Sequence, residues 1–318
     1  MKKLNFTLFF TFVACFAMNA QSWQMLGVNS VSTSAVELSK IVLDTQGTPY
    51  VTFKGDGTYG WKISVMKLNA DSWEAVGALS FSSAPVNFPS IALDSENTPY
   101  VAFLEEGNGH RARAMKFNGT AWSYMGDFVS AGEVSYVNIQ CDKNNNVYVA
   151  YRDHSLGYKA CVKKWNTGTS TWDYVGNAAF SDGPADKLDF KLDGNNTPYV
   201  AFKDESGGYK LSVMKYDGSA WVFVGGRSSS PGIVSSMLSL EIDKNNVPYV
   251  AYINESASNK ASMLKFVSDA WTSVGDATLS AGEVSYLDMA IDTNGSPFVT
   301  YRDHSLQYKA FVRKFDSG

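Results

Sequence analysis

The sequence predicts an all-β fold, a six-bladed β-propeller of four-stranded antiparallel blades. Three observations predict it: a tryptophan that recurs every 49 or 50 residues, an apolar strand motif that recurs with it, and a composition rich in aromatic and turn-forming residues. Aromatic residues make up 14% of the 318-residue chain, and they favour strands over helices. Repeats of this length are typical of propellers and other repeat folds.

Each unit begins with a Trp-x-x-(Leu/Val/Met)-Gly segment. The six tryptophans are Trp23, Trp73, Trp122, Trp172, Trp221 and Trp271. A polar loop follows, and then a short apolar segment that ends in aspartate. These aspartates are Asp44, Asp94, Asp142, Asp193, Asp243 and Asp292. After a turn of Asn, Gly, Ser and Thr comes an extended run such as YVAF, and a last apolar run such as KISVMKL completes four strands per unit.

The turn and strand residues agree with this division. Proline stands at the expected first position of five strands, where its missing N–H does least harm. These prolines are Pro49, Pro99, Pro198, Pro248 and Pro297. The aspartates and asparagines before them suit Asx turns. The Tyr-Val-Ala-Phe strands are apolar on both faces, so each sheet needs a covering layer on both sides. Neighbouring sheets of the same kind, arranged around an axis, supply those layers.

The two ends of the chain predict how the ring closes. The last unit ends at Gly318 after its third strand, and a lone tryptophan strand at residues 23–27 has no unit of its own. We therefore expect this strand to pair into the last blade and close the ring. The alternative is an open stack of repeats, in which the last blade would stay incomplete.

The first 20 residues have the pattern of a secretory signal peptide. Two lysines precede an apolar run at residues 8–16, and small residues lead to Ala20. This run is too short to span a bilayer. We expect cleavage near Ala20 and a secreted, periplasmic or cell-surface location, with residues 21–318 forming one propeller domain. A lipoprotein signal acylated at Cys15 is the alternative, and the residues before that cysteine fit it poorly. The mature chain shows no other candidate transmembrane segment.

Charge and cysteine content exclude several classes of function. The net charge of -4 argues against a nucleic-acid-binding surface. Cys141 and Cys161 fall on strands separated by a third strand, roughly 9–10 Å apart, which is too far for a disulfide. The chain contains no His/Cys/Asp cluster at metal-ligand spacing. The sequence therefore predicts no metal, no cofactor and no cross-link.

The third and sixth units carry the best candidate for a functional site. Residues 130–165 and 280–315 are identical at 21 of 36 aligned positions, and the identities concentrate in two loops of one rim. The candidate ligand-binding residues in the third unit are Glu133, Tyr136, Arg152, Asp153, His154 and Lys159. Their counterparts in the sixth unit are Glu283, Tyr286, Arg302, Asp303, His304 and Lys309. Duplication of a three-unit segment would also leave such a likeness.

The chemistry of this set suits a glycan or a peptide. Arginine offers a planar fork, carboxylates accept hydrogen bonds from sugar hydroxyls, and tyrosine offers a stacking face. An Arg–Asp ion pair that only rigidifies the loop is the alternative. The third histidine, His110, is expected to be an exposed loop residue. No paired carboxylates or Ser-His-Asp arrangement stand out, so no catalytic residue is assigned.

Two motifs carry a resemblance to known families. The D-x-x-G-x-P-Y-V-A-Y element resembles the strand pairs of bacterial exported propellers of the NHL and SBBP type. The KFNGTAW hairpin at residues 116–122 is similar to the blades of six-bladed fucose-binding lectins. These resemblances imply an exported binding module, most readily a lectin-like one. A scaffold for protein contacts in the cell envelope is the alternative, and a propeller hydrolase or lyase is the third reading. The expected partner is a glycan or a surface protein.

Overall fold

The computed structural model describes residues 26–27 and 30–315, which form 23 β-strands in six sheets arranged as the blades of a propeller. The strands of blades one to three are β1 Val36–Leu43, β2 Pro49–Gly55, β3 Ile63–Asn69, β4 Ser72–Ala75, β5 Val86–Leu93, β6 Pro99–Glu105, β7 Arg111–Phe117, β8 Trp122–Tyr124, β9 Val134–Cys141, β10 Val147–Asp153, β11 Lys159–Asn166 and β12 Thr171–Tyr174. The strands of blades four to six are β13 Ala185–Leu192, β14 Pro198–Asp204, β15 Lys210–Tyr216, β16 Trp221–Phe223, β17 Val234–Ile242, β18 Pro248–Asn254, β19 Lys260–Val267, β20 Ala270–Ser273, β21 Val284–Ile291, β22 Pro297–Asp303 and β23 Lys309–Lys314. The predicted fold class is confirmed.

Every blade is an antiparallel meander whose strands pair in chain order. The turns between first and second strands and between third and fourth strands therefore lie at one end, here called the turn rim. The loops between second and third strands and the links to the next blade lie at the other end, here called the loop rim. Both candidate loops of the third unit lie on the loop rim, as the sequence predicts.

The turns of the turn rim form as Asx turns. In the first blade the Asp44 carboxylate accepts hydrogen bonds from the backbone N–H groups of Gln46 (2.9 Å) and Thr48 (2.8 Å). Equivalent bonds form at the other five repeat aspartates. All five predicted prolines begin a second strand. Local chemistry therefore fixes where each innermost hairpin turns.

The first strand of each blade contains an irregularity that redirects its side chains. Pairing between first and second strands shifts register near the loop rim in all six blades. In blades three and six this β-bulge falls at Tyr136 and Tyr286, whose φ angles are 54° and 53°. Bulges re-aim side chains and occur often beside functional sites.

The core is divided among the interfaces between blades. Each of the five interfaces between successive blades is filled by one apolar cluster of buried residues. The first and sixth blades each have one face that none of these five clusters covers. Ile41 on blade one is 65% exposed, and Val312 on blade six is 47% exposed. The described residues therefore leave a seam between these two blades.

The predicted closing strand lies largely outside the described residues, and so do the predicted signal peptide, its cleavage site and Cys15. Of residues 23–27, only Leu26 and Gly27 are described, and sheet six has three strands in the described part of the chain. Cys141 and Cys161 are free thiols on β9 and β11, with β10 between them, as predicted. Within residues 26–27 and 30–315, no helix has the length and apolarity to cross a membrane.

Candidate functional site

Arg152 is the centre of the candidate site in blade three. Its guanidinium donates to Asp186 at 3.0 Å and to Glu205 at 2.9 Å, and both carboxylates belong to blade four. It also lies over the ring of Tyr158, 4.7 Å from the centroid, and its Nε donates to the Tyr158 carbonyl at 3.3 Å. The alternative considered from the sequence was an Arg–Asp ion pair that rigidifies one loop, whereas the ion pairs of Arg152 join two blades.

Two tyrosines frame this guanidinium in different ways. The bulge in β9 directs Tyr136 to the neighbouring blade, where its hydroxyl donates to Asp186 at 2.8 Å and accepts from Lys187 at 3.0 Å. Burial and the nearby Asp186 raise the pKa of Tyr136 above its ordinary value, and Lys187 opposes the shift. Tyr158 is 45% exposed, so part of its side chain is accessible to solvent.

The corresponding site in blade six has the same cation and the same tyrosines. The Arg302 guanidinium lies 4.6 Å from the ring of Tyr286 and 5.2 Å from that of Tyr308. Its Nε donates to the Ser285 hydroxyl at 2.9 Å. Tyr286 is 65% exposed, whereas Tyr136 is half-buried. The difference arises because no blade packs on this face of blade six in the described residues.

The histidines hold the two loops of each site together. His154 Nε2 lies 3.1 Å from the Ser135 hydroxyl, and its Nδ1 lies 3.4 Å from a Glu133 carboxylate oxygen. His304 has the same relation to Ser285, and its Nδ1 lies 3.7 Å from Glu283. Both rings lie 4.8 Å from the exposed tyrosine of their loop.

His110 is exposed, as predicted, and its Nδ1 lies 3.6 Å from the same carboxylate oxygen of Glu133. It belongs to blade two, so Glu133 stands between histidines of neighbouring blades. In the described part of the chain no group of His, Cys, Asp and Glu could hold a metal ion.

The remaining candidates lie at the base of each loop. Asp153 is 1% exposed, and its carboxylate accepts from the Ser155 N–H at 2.9 Å and from its hydroxyl at 2.6 Å. Asp303 makes the same bonds to Ser305. Lys159 and Lys309 are the first residues of β11 and β23, paired with these aspartates. Both aspartates therefore brace the loop, and their role as ligand contacts stays a prediction.

The cation–tyrosine arrangement belongs to a wider pattern on the loop rim. In blade one, Lys54 lies 5.1 Å from the ring of Trp61, and in blade four Lys203 lies 5.2 Å from that of Tyr209. The aromatic residue has a positive φ in each of these blades. Because the loop conformation recurs, it is a property of the scaffold. Blades three and six differ from blades one and four because their cation is an arginine and because a tyrosine stands at their β-bulge.

Sequence reasoning missed the acidic half of the site. Asp186 and Glu205 lie 34 and 53 residues beyond Arg152 in the chain. They fall in the next unit, so comparison of the third and sixth units alone could not reveal them. A comparison of each arginine with the acidic residues of the following unit would have found them. The strand pairing shows that Glu37 and Asp56 of blade one occupy the positions that Asp186 and Glu205 occupy in blade four.

The arrangement can bind a ligand that offers hydroxyl groups and a weakly polar face. Arg152 and its carboxylates present donors and acceptors side by side, and Tyr158 presents an exposed ring next to them. Cavities also lie elsewhere in the described residues. One of about 620 Å³ lies at the turn rim between blades one and two, and one of about 260 Å³ lies at the outer edge of blade six.

Comparison with known proteins shows the fold. No family model and no curated protein matches the chain. The structure of the SapL1 lectin in complex with alpha methyl fucoside is similar, with a TM-score of 0.56 at 15% identity over 89% of this chain and 95% of that one. AofleA from Arthrobotrys oligospora gives 0.55 at 13% over 88% and 83%. A PL25 ulvan lyase, a polysaccharide lyase, gives 0.54 at 11% over 87% and 77%.

Proposed function

We propose that this protein is an exported, lectin-like propeller that binds carbohydrate on its loop rim. The observation that carries the proposal is the arginine held against an exposed tyrosine on the rim, at Arg152 with Tyr158 and again at Arg302 with Tyr308. Membership of the exported propellers of the NHL and SBBP type, and the use of Glu133, His154 and their counterparts as ligand contacts, are parts of the same proposal.

The chemistry of sugars fits these groups. A sugar ring has one face of C–H groups, which packs on an aromatic ring, and an edge of hydroxyls that need donors and acceptors. Tyr158 supplies the ring, and Arg152 with Glu205 supplies paired charged hydrogen-bonding groups. The ion pairs hold the guanidinium in place before a ligand arrives, so little side-chain entropy is lost on binding.

The comparisons support this proposal at the level of architecture. The similar structures include a lectin that was solved with a fucoside, and its fold covers most of this chain. They also include a polysaccharide lyase, which is a second protein whose name refers to carbohydrate. Fold alone does not assign function, and the proposal therefore depends on the rim residues.

A glycan array with the wild-type protein is the first test, followed by titration of any glycan that binds. The paired variant Tyr158→Ser and Tyr308→Ser removes two exposed rings and should weaken binding at least tenfold with an unchanged Tm. Tyr209→Ser is the matched control, because Tyr209 occupies the same loop position in blade four and is 49% exposed. Absence of any bound glycan, or equal effects of the control and the paired variant, would contradict the proposal.

A module for protein contacts is the second candidate. Leu156 and Leu306 are 37% and 47% exposed beside the rim tyrosines, and apolar side chains of this kind suit a peptide. The two functions separate in one experiment. A polysaccharide binds the wild type and is displaced by its own monosaccharide if the site is lectin-like, whereas a peptide ligand is insensitive to free sugar. Release of reducing ends from the polysaccharide would instead indicate catalysis.

A further inference from the structure

We propose that the loop-rim site between blades three and four selects saccharides that carry an anionic group, a carboxylate or a sulfate, and that Lys187 recognises this group. The inference rests on the proposed function of the loop rim and names the ligand class of one site. Lys187 belongs to β13, the first strand of blade four, and its side chain is 31% exposed. It extends the site of Arg152 toward the propeller axis.

A chain of hydrogen bonds connects Lys187 with Arg152. The Arg152 guanidinium donates to Asp186 Oδ1 at 3.0 Å, and the Tyr136 hydroxyl donates to the same oxygen at 2.8 Å. The Lys187 ammonium donates to the Tyr136 hydroxyl at 3.0 Å. Two cations therefore lie in one continuous network, with a carboxylate and a phenol between them.

The ammonium of Lys187 has hydrogen-bonding capacity that this network does not use. An ammonium has three N–H donors, and the Tyr136 hydroxyl accepts from one of them. The Asp186 carboxylate lies 3.9 Å from the ammonium, which is beyond hydrogen-bond distance. Within residues 26–27 and 30–315, no other carboxylate forms an ion pair with Lys187. Its remaining donors are therefore available to a ligand.

The two carboxylates of the site are already paired with Arg152. Its guanidinium donates to Asp186 at 3.0 Å and to Glu205 at 2.9 Å, and charge-assisted hydrogen bonds of this length are strong. Glu205 follows the second strand of blade four, whereas Lys187 lies on the first, so they mark opposite ends of the site. Sugar hydroxyls suit the end with Glu205 and Tyr158, and an anionic substituent suits the end with Lys187.

Lys187 keeps its charge, and this charge lies close to that of Arg152. Burial lowers the pKa of Lys187, but the Tyr136 hydroxyl and the Asp186 carboxylate outweigh burial, so the pKa lies above its ordinary value. The positive charge of Arg152 opposes this rise, because like charges at short range repel each other. An anionic group that lies between the two side chains is attracted by both, so its binding relieves the repulsion.

The scaffold does not require a lysine at this position. Lys187 stands at the β-bulge of blade four with a φ angle of 51°, where the register of β13 shifts between Asp186 and Asp189. The bulge residues with positive φ in four other blades are apolar or aromatic: Leu38, Phe88, Tyr136 and Tyr286. The bulge conformation therefore forms without a charged side chain. Packing gives no reason for the ammonium, whereas recognition of an anion does.

A purely structural role for Lys187 gives a different expectation. Its hydrogen bond to the Tyr136 hydroxyl also helps to hold that ring between the two blades. If this bond were its whole contribution, loss of Lys187 would change the affinity for anionic and for neutral saccharides by the same factor. Recognition of an anionic group predicts that only the affinity for anionic saccharides falls.

The test titrates the protein with anionic and neutral forms of the same polysaccharide. Polygalacturonate is paired with its carboxyl-reduced form and dextran sulfate with dextran, so the two pairs distinguish a carboxylate from a sulfate. The wild type should bind at least one anionic form about tenfold or more tightly than its neutral partner, as expected for hydrogen bonds to a charged group. Lys187→Met should remove this preference, and Lys187→Arg, which keeps the charge, should retain most of it.

Lys210→Met is the matched control, because Lys210 is a half-buried lysine on the loop rim of the same blade and lies outside the Arg152 network. It removes the same charge and should leave the preference unchanged. The inference is overturned if the wild type shows no preference for either anionic form, if Lys187→Met weakens both forms equally, or if Lys210→Met has the same effect. Binding of a neutral glycan on the array would then still support the proposed function, whereas binding of no glycan at all contradicts both.

Discussion

The ion pairs of Arg152 allow the most quantitative prediction. Arg152→Met keeps much of the aliphatic stem and removes the guanidinium, which is the group that joins blade three to blade four. Two charged hydrogen bonds are lost, to Asp186 at 3.0 Å and to Glu205 at 2.9 Å. The side chain of Arg152 is 15% exposed, and those of its partners are 18% and 31% exposed.

These exposures set the expected magnitude. Breaking a fully buried ion pair costs about 3–5 kcal/mol, and an exposed pair contributes about 0–1 kcal/mol. The Arg152 pairs lie between these limits, so we expect Arg152→Met to lower the free energy of unfolding by about 2 kcal/mol. For a domain of this size that corresponds to a fall in Tm of about 3 °C.

Calorimetry of a double-mutant cycle measures this directly. Arg152→Met, Asp186→Asn and the double variant should give a coupling energy of about 1 kcal/mol or more, because the two residues are in direct contact. Arg111→Met is the control. The Arg111 guanidinium lies over the ring of Phe128 at 3.4 Å, so this variant removes a guanidinium from an aromatic contact and leaves the ion pairs of Arg152 intact. A Tm of Arg152→Met equal to that of wild type, or a coupling energy of zero, would refute the view that Arg152 joins the blades.

Three further predictions concern buried groups. Burial raises the pKa of Asp204, but hydrogen bonds from Arg227, Ser212 and the Gly207 N–H, together with the charge of Arg227, outweigh it, so the folded-state pKa lies below the ordinary value. The ion pair therefore stabilises the fold above about pH 4 and loses this effect as the pH falls. The difference in unfolding free energy between wild type and Arg227→Met, measured with urea, should narrow on acidification. Burial raises the pKa of Cys141 and of Cys161 to about 12, so both thiols stay protonated at pH 8. A thiol reagent should therefore label the native protein much more slowly than the unfolded chain, and equally rapid labelling of both states would contradict this. Trp172→Phe keeps a buried ring but loses the indole hydrogen bond of 3.0 Å, so unfolding experiments should show a loss of about 1 kcal/mol.

The likeness of the two loop-rim sites has a partly structural origin. The Ser130 hydroxyl accepts from the Ala112 N–H and donates to the Gly132 carbonyl, and Ser280 makes the same pair of bonds in its own loop. The serine is shared with other blades, for example as Ser181. Part of the identity between residues 130–165 and 280–315 therefore reflects loop folding. The arginine and the bulge tyrosine are the positions that the scaffold does not require in every blade.

The sequence by itself determined the repeat, the strand order and the turn chemistry. An Asx turn at Asp44, a strand that begins at Pro49 and a strand that is apolar on both faces depend on residues a few positions apart. The regular spacing of the repeated tryptophans then predicts the number of blades. The free state of Cys141 and Cys161 could be predicted for the same reason, because adjacent strands have a fixed separation.

Only the tertiary structure decided what surrounds Arg152. Its carboxylates come from the next blade, and their approach depends on how two sheets pack and on a bulge that turns Tyr136 across the interface. The same is true of the seam between blades one and six, because the exposure of Ile41 and Val312 depends on which blades pack against each other. Contacts within one strand or turn follow from neighbouring residues in the chain. Contacts between blades follow from packing, which brings together residues about 50 positions apart and leaves no pattern within a single repeat.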